Sequence, residues 1–404
     1  QYIGHRVVET TRMLRTGALV PAPSQCAAEL VRRGHMVTPS FMVPKKNTTK
    51  KRMVYNQKRS NAQFRKRKIK LEHLSELKNV ARPGCHAFTA DVGAKCLEGK
   101  DGYHAIQIDP RDQHLLTSDQ GLEVHQASLG PPDRQAILDQ AGVDIAEMSA
   151  EEISEYWGPV PQFVMCSSLP FGYTNSVWLF TIVMREAARQ MRAQGVRCLV
   201  YLDDWAFFPE TLKEAAEWQK IADSVWDSLG LMRQAGKGTV RDDGTWDVVQ
   251  EFVHLGVGVN LKLNVFFVPT AVSANIRKMG KQILTSADRH QGKVGCLWLA
   301  QFAGLVMSTH MAVRQARFKT RPLFDDLVRA RAYQSQFRNM ARLSRESKRM
   351  IRWWTTLSSA PELGRRVWDP AVNLPWTCDA CTTVGRGWGA TLPSGPLTGD
   401  PQRR

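Results

Sequence analysis

The chain has 404 residues, too many for one ordinary domain, and its 43% apolar content is enough to bury a sizeable core. Disorder along the whole length is excluded on that count. Lys and Arg number 55 against 38 Asp and Glu, a formal charge of +17, which favours polyanionic partners, with nucleic acid ahead of an anionic membrane surface.

Residues 1–34 carry no strong element signal and read as an N-terminal extension. From Lys45 to Lys70 there are twelve Lys or Arg and no acid. Its apolar flanks, Ser40–Pro44 and Met53–Tyr55, predict two short strands joined by a lysine-rich turn. Between Asp119 and Glu155 nine acids face a single Arg134, which reads as a surface insertion without chemistry. Ser176–Gln194 has helical spacing and stops at Gly195. Residues 196–208 are two β-prone runs around Asp203-Asp204, a hairpin with the acidic pair at its turn. Thr211-Leu212-Lys213-Glu214 is a capping box opening a helix that ends at Gly230. Phe252–Pro269 reads as a second hairpin around Asn260, and Thr270 to about Ser359 as helical and basic. In that stretch Trp353 and Trp354 are expected to pack, not to stack on bases.

Eight cysteines are too few for a disulfide scaffold in a chain this long. Cys378 and Cys381 form a C-x-x-C, but zinc would need two further ligands, and the nearest upstream histidine is His310. No N-terminal segment has the shape of a signal peptide. Tyr156–Met184 lacks charges but is interrupted by Pro161, Pro170 and Asn175, so it suits a buried strand and helix better than a membrane span. A soluble intracellular protein is expected, in cytoplasm or nucleus, with no membrane partner. The opening on Gln1 and a new motif just before the end read as a fragment.

Two adjacent carboxylates at a turn raise each other's pKa unless a cation shares them, and Mg²⁺ is the obvious compensator. Tyr201-Leu202-Asp203-Asp204 resembles the Y-x-D-D signature of reverse transcriptases, and other motifs follow in that family's order. Pro44–Asn56, then Asn61, is similar to the fingers segment that grips the incoming nucleotide, with Lys45 and Arg52 matching its triphosphate-binding pair. Leu169-Pro170-Phe171-Gly172-Tyr173 matches the L-P-F-G segment shaping the nucleotide pocket. Leu229-Gly230-Leu231 with Lys237-Gly238 resembles the next palm motif, and His254-Leu255-Gly256 with Phe266–Pro269 the primer-grip hairpin. Ala81–Gly84, Asp101–Ala105 and the spacing of the last hairpin are most similar to DIRS-like tyrosine-recombinase retroelements. Thr377–Ala380 and Gly387–Ala390 resemble the first strand of a ribonuclease H domain.

The resemblance implies an α+β right-hand polymerase with a truncated ribonuclease H-like strand at the C-terminus. Residues 35–268 would hold fingers and palm, with the acidic insertion at 119–155. Thumb and connection would follow over 269–370, and the ribonuclease H-like start over 371–404. It implies an RNA-directed DNA polymerase of a retrotransposon, a nucleotidyltransferase joining deoxynucleoside triphosphates to a DNA primer on an RNA or DNA template. Asp91, Asp203 and Asp204 would be the catalytic carboxylates holding two Mg²⁺ ions, with Mn²⁺ as a substitute. Lys45, Arg52, Tyr103, Gly172 and Lys237 would bind the nucleotide, Tyr103 excluding a ribose 2′-hydroxyl.

The third carboxylate departs from the pattern. Seven residues, Gly93–Gly99, separate Ala90-Asp91-Val92 from Lys100-Asp101-Gly102-Tyr103. The Arg82-Pro83-Gly84 lead-in favours Asp91, while a competing register places Glu98 there. Seven extra residues could carry Tyr103 some 20 Å away, at about 3.3 Å per extended residue, unless they loop out. The insertions also admit an alternative function, a non-catalytic nucleic-acid-binding relic of such a polymerase.

Overall fold

The computed structural model describes residues 2–44, 51–95, 102–129, 138, 157–368, 377–380, 388–392 and 395–399. They fall into two units, Gln1–Arg365 and Arg366–Arg404. The stretch expected only as an extension forms helix α1 (Ile3–Arg15) and strand β1 (Leu19–Pro21). Val7 of α1 closes on Val124, Trp157 and Val160, while Met13 packs with Leu19, Met42, Met53 and Tyr55. Helix α2 (Ala27–Arg32) leads into β2 (Val37–Pro44), which pairs antiparallel with β3 (Lys51–Tyr55), Ser40 opposite Tyr55. Along β2, Thr38, Ser40 and Met42 point inward while Pro39, Phe41 and Val43 face out, the two-residue period of a half-buried strand. The lysine-rich turn between these strands lies outside the described residues.

Short helices α3 (Lys58–Asn61) and α4 (Leu77–Val80) precede β4 (Phe88–Ala94). Then come β5 (Thr117–Asp119), α5 (Leu122–Leu129) and β6 (Phe163–Cys166). β6 bonds β1 on one side and β5 on the other, and β5 runs parallel to β2, giving the order β1-β6-β5-β2-β3. The acidic stretch therefore begins inside this sheet, at Asp119, and continues through α5. Most of its remainder is outside the described residues.

A second sheet carries the acidic hairpin. Helix α6 (Ser176–Ala193), β7 (Cys198–Tyr201), β8 (Asp204–Phe207), α7 (Leu212–Ser228) and β9 (Leu231–Arg233) follow one another. With β4 in front, the run is β-α-β-β-α-β, and the strand order β7-β8-β4-β9 is antiparallel throughout, a ferredoxin-like arrangement. Phe88, Trp205 and Phe207 from the strands meet Phe180, Met184, Trp218 and Trp226 from the helices in one core. Each such side chain contributes on the order of 2 kcal/mol by leaving water. α7 starts where its capping box places it, with Thr211 Oγ1 accepting from the Glu214 N–H at 3.1 Å.

Where the sequence reading gives one hairpin around Asn260, three strands form: β10 (Glu251–His254), β11 (Val257–Asn260) and β12 (Val265–Phe267). The extra turn is Leu255-Gly256, with φ of 50° and 77°; two positive φ values between paired residues suit a tight hairpin. Helices α8 (Thr270–Arg289), α9 (Cys296–Met307), α10 (Ala316–Arg329) and α11 (Arg345–Thr355) then pack around Ile276, Ile283, Leu299, Phe302, Leu323 and Trp354. Strands β13 (Lys293–Gly295) and β14 (Met340–Arg342), unforeseen in the helical pattern, pair between them. Trp354 is wholly buried and Trp353 lies under the Lys319 ammonium at 4.9 Å, so both pack. In the second unit Thr377–Ala380, Trp388–Leu392 and Gly395–Gly399 form an antiparallel sheet, Thr377 opposite Thr391. Among the described residues no helix is long and apolar enough to cross a membrane.

Candidate active site

Tyr201 and Asp204 face each other as the last pair of the β7–β8 ladder, leaving Leu202-Asp203 as a two-residue loop. Leu202 takes φ 58°, which costs a non-glycine residue roughly 1 kcal/mol; its side chain packs on the Phe88–Trp226 core in compensation. Asp204 is thus the first residue of β8, and Asp203 sits at the tip. On the other side of β8, Asp91 of β4 is the direct partner of Asp204, and the Val92 N–H donates to the Asp203 carbonyl at 2.9 Å. Asp91 is the one residue of β4 that is not fully buried.

The electrostatics follow from this crowding. Burial, then the charges of Asp203 and Asp204, push the Asp91 carboxyl up to about 7, against the opposing pull of Lys237 and Arg52. Burial and Asp203 push Asp204 to about 6, with Lys237 opposing. The Lys237 ammonium lies 3.9 Å from Asp91 Oδ2. Its loop is fixed to β4 by Thr239, whose N–H donates to the Thr89 carbonyl at 3.0 Å and whose hydroxyl accepts from the Thr89 N–H at 2.9 Å. Among the described residues no three His, Cys, Asp or Glu side chains converge closely enough to hold a metal as they stand. The donor chemistry nevertheless fits a hard divalent cation: all-oxygen ligands, partly buried, with negative charge that Lys237 and Arg52 do not offset.

The seven-residue insertion does not carry Tyr103 away from Asp203. β4 simply continues, pairing Val92–Ala94 with Leu231–Arg233, and Gly102 returns against it. A Cβ on Gly102 would meet the Phe180 ring at 2.9 Å and the Val92 carbonyl at 3.0 Å, so the chain comes back in close contact with β4. Tyr103 packs between Phe171, tilted by 38° at 5.0 Å, and Phe180, edge-on at 5.1 Å between ring centroids. Burial, then Asp203, push its hydroxyl up to about 12. Glu98 and Lys45 lie outside the described residues.

Arg52 projects from β3, its guanidinium 4.4 Å above the Phe171 ring. The Leu169–Tyr173 segment is joined to the same strand. The Tyr55 N–H donates to the Phe171 carbonyl at 3.0 Å. Gly172 has φ 113°, and a Cβ there would stand 2.2 Å from the Tyr55 carbonyl. Asn61 completes the joint, its amide donating to the Gly172 carbonyl and accepting from the Thr174 N–H, both at 2.8 Å. Sequence reasoning assigned Asn61 and Phe171 no role beyond membership of their motifs; a side chain bridging 111 residues leaves no local signal.

The basic run is held along α6. Asn175 accepts from the Arg67 N–H and donates to the Arg65 carbonyl, and the Arg67 guanidinium lies 5.7 Å from the Trp178 ring centroid. Glu72 pairs with Arg192 and accepts from the Val200 N–H at 2.9 Å, so the strap also covers the free edge of β7. Arg65, Lys66, Arg67, Lys68 and Lys70 are exposed along it.

Residues 43–241 match the family profile "Reverse transcriptase (RNA-dependent DNA polymerase)". Three solved structures of the foamy viral protease-reverse transcriptase are similar in fold. One, with double-stranded DNA, has a TM-score of 0.59 at 15% identity, covering 96% of this chain and 53% of that one. A second, with an RNA/DNA hybrid, has 0.58 at 15%, covering 96% and 40%. The third, with double-stranded DNA, has 0.58 at 16%, covering 96% and 63%. The chain thus spans less than two thirds of each viral protein. No curated protein sequence matches it.

Proposed function

We propose that the chain is an RNA-directed DNA polymerase of a retrotransposon, extending a DNA primer with deoxynucleoside triphosphates on an RNA or DNA template. The observation that carries this reading is the pairing of Asp91 with Asp204, Asp203 at the adjoining tip, beside Arg52 and Lys237. In this reading the five-stranded sheet belongs to the fingers, the four-stranded sheet to the palm and the helices after Thr270 to the thumb. Residues 371–404 would begin a ribonuclease H-like domain, and the motif set points to the DIRS-like group.

Asp91, Asp203 and Asp204 would hold two Mg²⁺ ions, which when bound supply charge stabilisation for the attacking and leaving oxygens. Arg52 and Lys237 would orient the triphosphate and offset its charge, work that fixed cations do without reorganising. Tyr103, wedged between two rings, would present a rigid wall to the sugar, where a 2′-hydroxyl is refused by shape. The exposed cations of the strap would contact nucleic-acid backbone irrespective of sequence.

Asp203→Asn tests the reading. Mg²⁺-dependent extension of a DNA primer on an RNA template should be abolished while template–primer binding stays nearly intact, because the change removes transition-state stabilisation and no backbone contact. Extension near that of the unaltered chain would overturn the assignment. The alternative, a non-catalytic nucleic-acid-binding relic of such a polymerase, is motivated by the insertions at 93–99 and 119–155. Salt-dependent binding by the unaltered chain without any extension would select it.

A further inference from the structure

Arg52 is exposed, opposite Val43 near the turn end of the β2–β3 hairpin, and among the described residues its side chain makes no hydrogen bond or ion pair. A free arginine carries roughly 2 kcal/mol of rotamer entropy and would sample many directions. What selects one direction here is a ring: Phe171 lies 4.4 Å beneath the guanidinium. That ring is itself fixed on several sides. Its backbone is bonded to Tyr55, Tyr103 leans on it at 5.0 Å and 38°, and His104 meets it edge-on at 6.1 Å and 88°. His104 is buried and anchored in turn by Ser168, Nδ1 to Oγ 2.8 Å. Gly172, next in the chain, lets the segment come this close to β3. Stacking on a ring face leaves the edge donors of a guanidinium free for a phosphate, which an ion pair with a carboxylate would not.

We propose that Phe171 is a positioning residue for the incoming nucleotide, its aromatic face holding Arg52 over the cleft with every donor unspent. The inference rests on the reading of Arg52 as a triphosphate ligand. It assigns the effect to the π face of Phe171 and not to its bulk.

The test is dTTP affinity for the full chain bound to a poly(rA) template and a dideoxy-terminated oligo(dT) primer, which needs no turnover. Phe171→Leu keeps apolar bulk and should weaken dTTP binding roughly three- to fivefold, the scale of an exposed cation–π contact. Phe171→Tyr and Phe171→Trp should restore it. In an Arg52→Ala background Phe171→Leu should add nothing, since there is no longer a guanidinium to hold; a merely structural loss would persist there. Arg52→Lys leaves Phe171 in place and guards against misfolding of the Leu variant. It keeps the charge, gives up the planar stack and should also weaken binding. Undiminished affinity in Phe171→Leu, or an equal loss with and without Arg52, would overturn the proposal while Arg52→Ala still weakens binding. Unchanged affinity in Arg52→Ala would instead overturn the triphosphate role on which it rests.

Discussion

Replacing Asp91 by Asn should stabilise the metal-free fold above neutral pH even as it ends primer extension. The Asp91 carboxyl sits at about 7 in the folded chain, against about 3.9 for an unfolded aspartate. A raised folded pKa means the native state binds this proton more tightly than the unfolded state does. The associated stability is present below about pH 4 and is lost as pH rises through 7. Three units correspond to about 4 kcal/mol as a ceiling. The side chain keeps 26% of its exposure and Lys237 stands 3.9 Å away, so solvent screening brings the expected figure nearer 2 kcal/mol. Urea denaturation in chelator at pH 4 and pH 8 reads this directly. The Asp91→Asn variant should exceed the parent at pH 8 by about 2 kcal/mol, with most of the gain gone by pH 4. Added Mg²⁺ should then stabilise the parent at pH 8 and leave the variant nearly unchanged. Glu98→Gln is the control, because the competing register predicts the gain there. An Asp91→Asn variant no more stable than the parent at pH 8 would refute the reasoning.

Two further outcomes are expected. Neutralising Lys66, Arg67 and Lys68 should weaken binding of all nucleic-acid sequences about equally and lower the log–log salt slope by roughly 0.7–0.9 for each phosphate no longer neutralised; an unchanged slope in a salt titration would make the strap a solvated face. Gly172→Ala combines a φ of 113° with a Cβ 2.2 Å from the Tyr55 carbonyl, whereas Gly195→Ala meets nothing within 4 Å at φ 83°. Urea midpoints should show the first costing well over 2 kcal/mol and the second only about 1 kcal/mol. Equal losses would mean that the joint between Leu169–Tyr173 and β3 yields readily.

The features legible in the sequence are local ones. The turn at Asp203, the capping box at Thr211 and the stop at Gly195 each depend on a few neighbouring residues, whose backbone preferences act wherever the segment lies. The same holds for the two strands flanking the basic run, where alternation of apolar residues is visible at short range. Whatever depends on distance through space had to wait for the packed chain. Strand β1 joins β6 across more than a hundred residues of chain, so nothing near Leu19 announces it. Whether Asp91 or Glu98 belongs beside the hairpin stayed open in the sequence, because strand register is fixed by the partner strand; pairing sets Asp91 opposite Asp204. The insertion after Asp91 looked able to displace Tyr103, and only the packing of Gly102 on Phe180 and Val92 brings that ring back toward Asp203. Raised carboxyl pKa values, the Asn61 joint and the Arg52–Phe171 stack have the same origin: burial, Coulomb repulsion and ring contacts exist only once distant segments have been folded together.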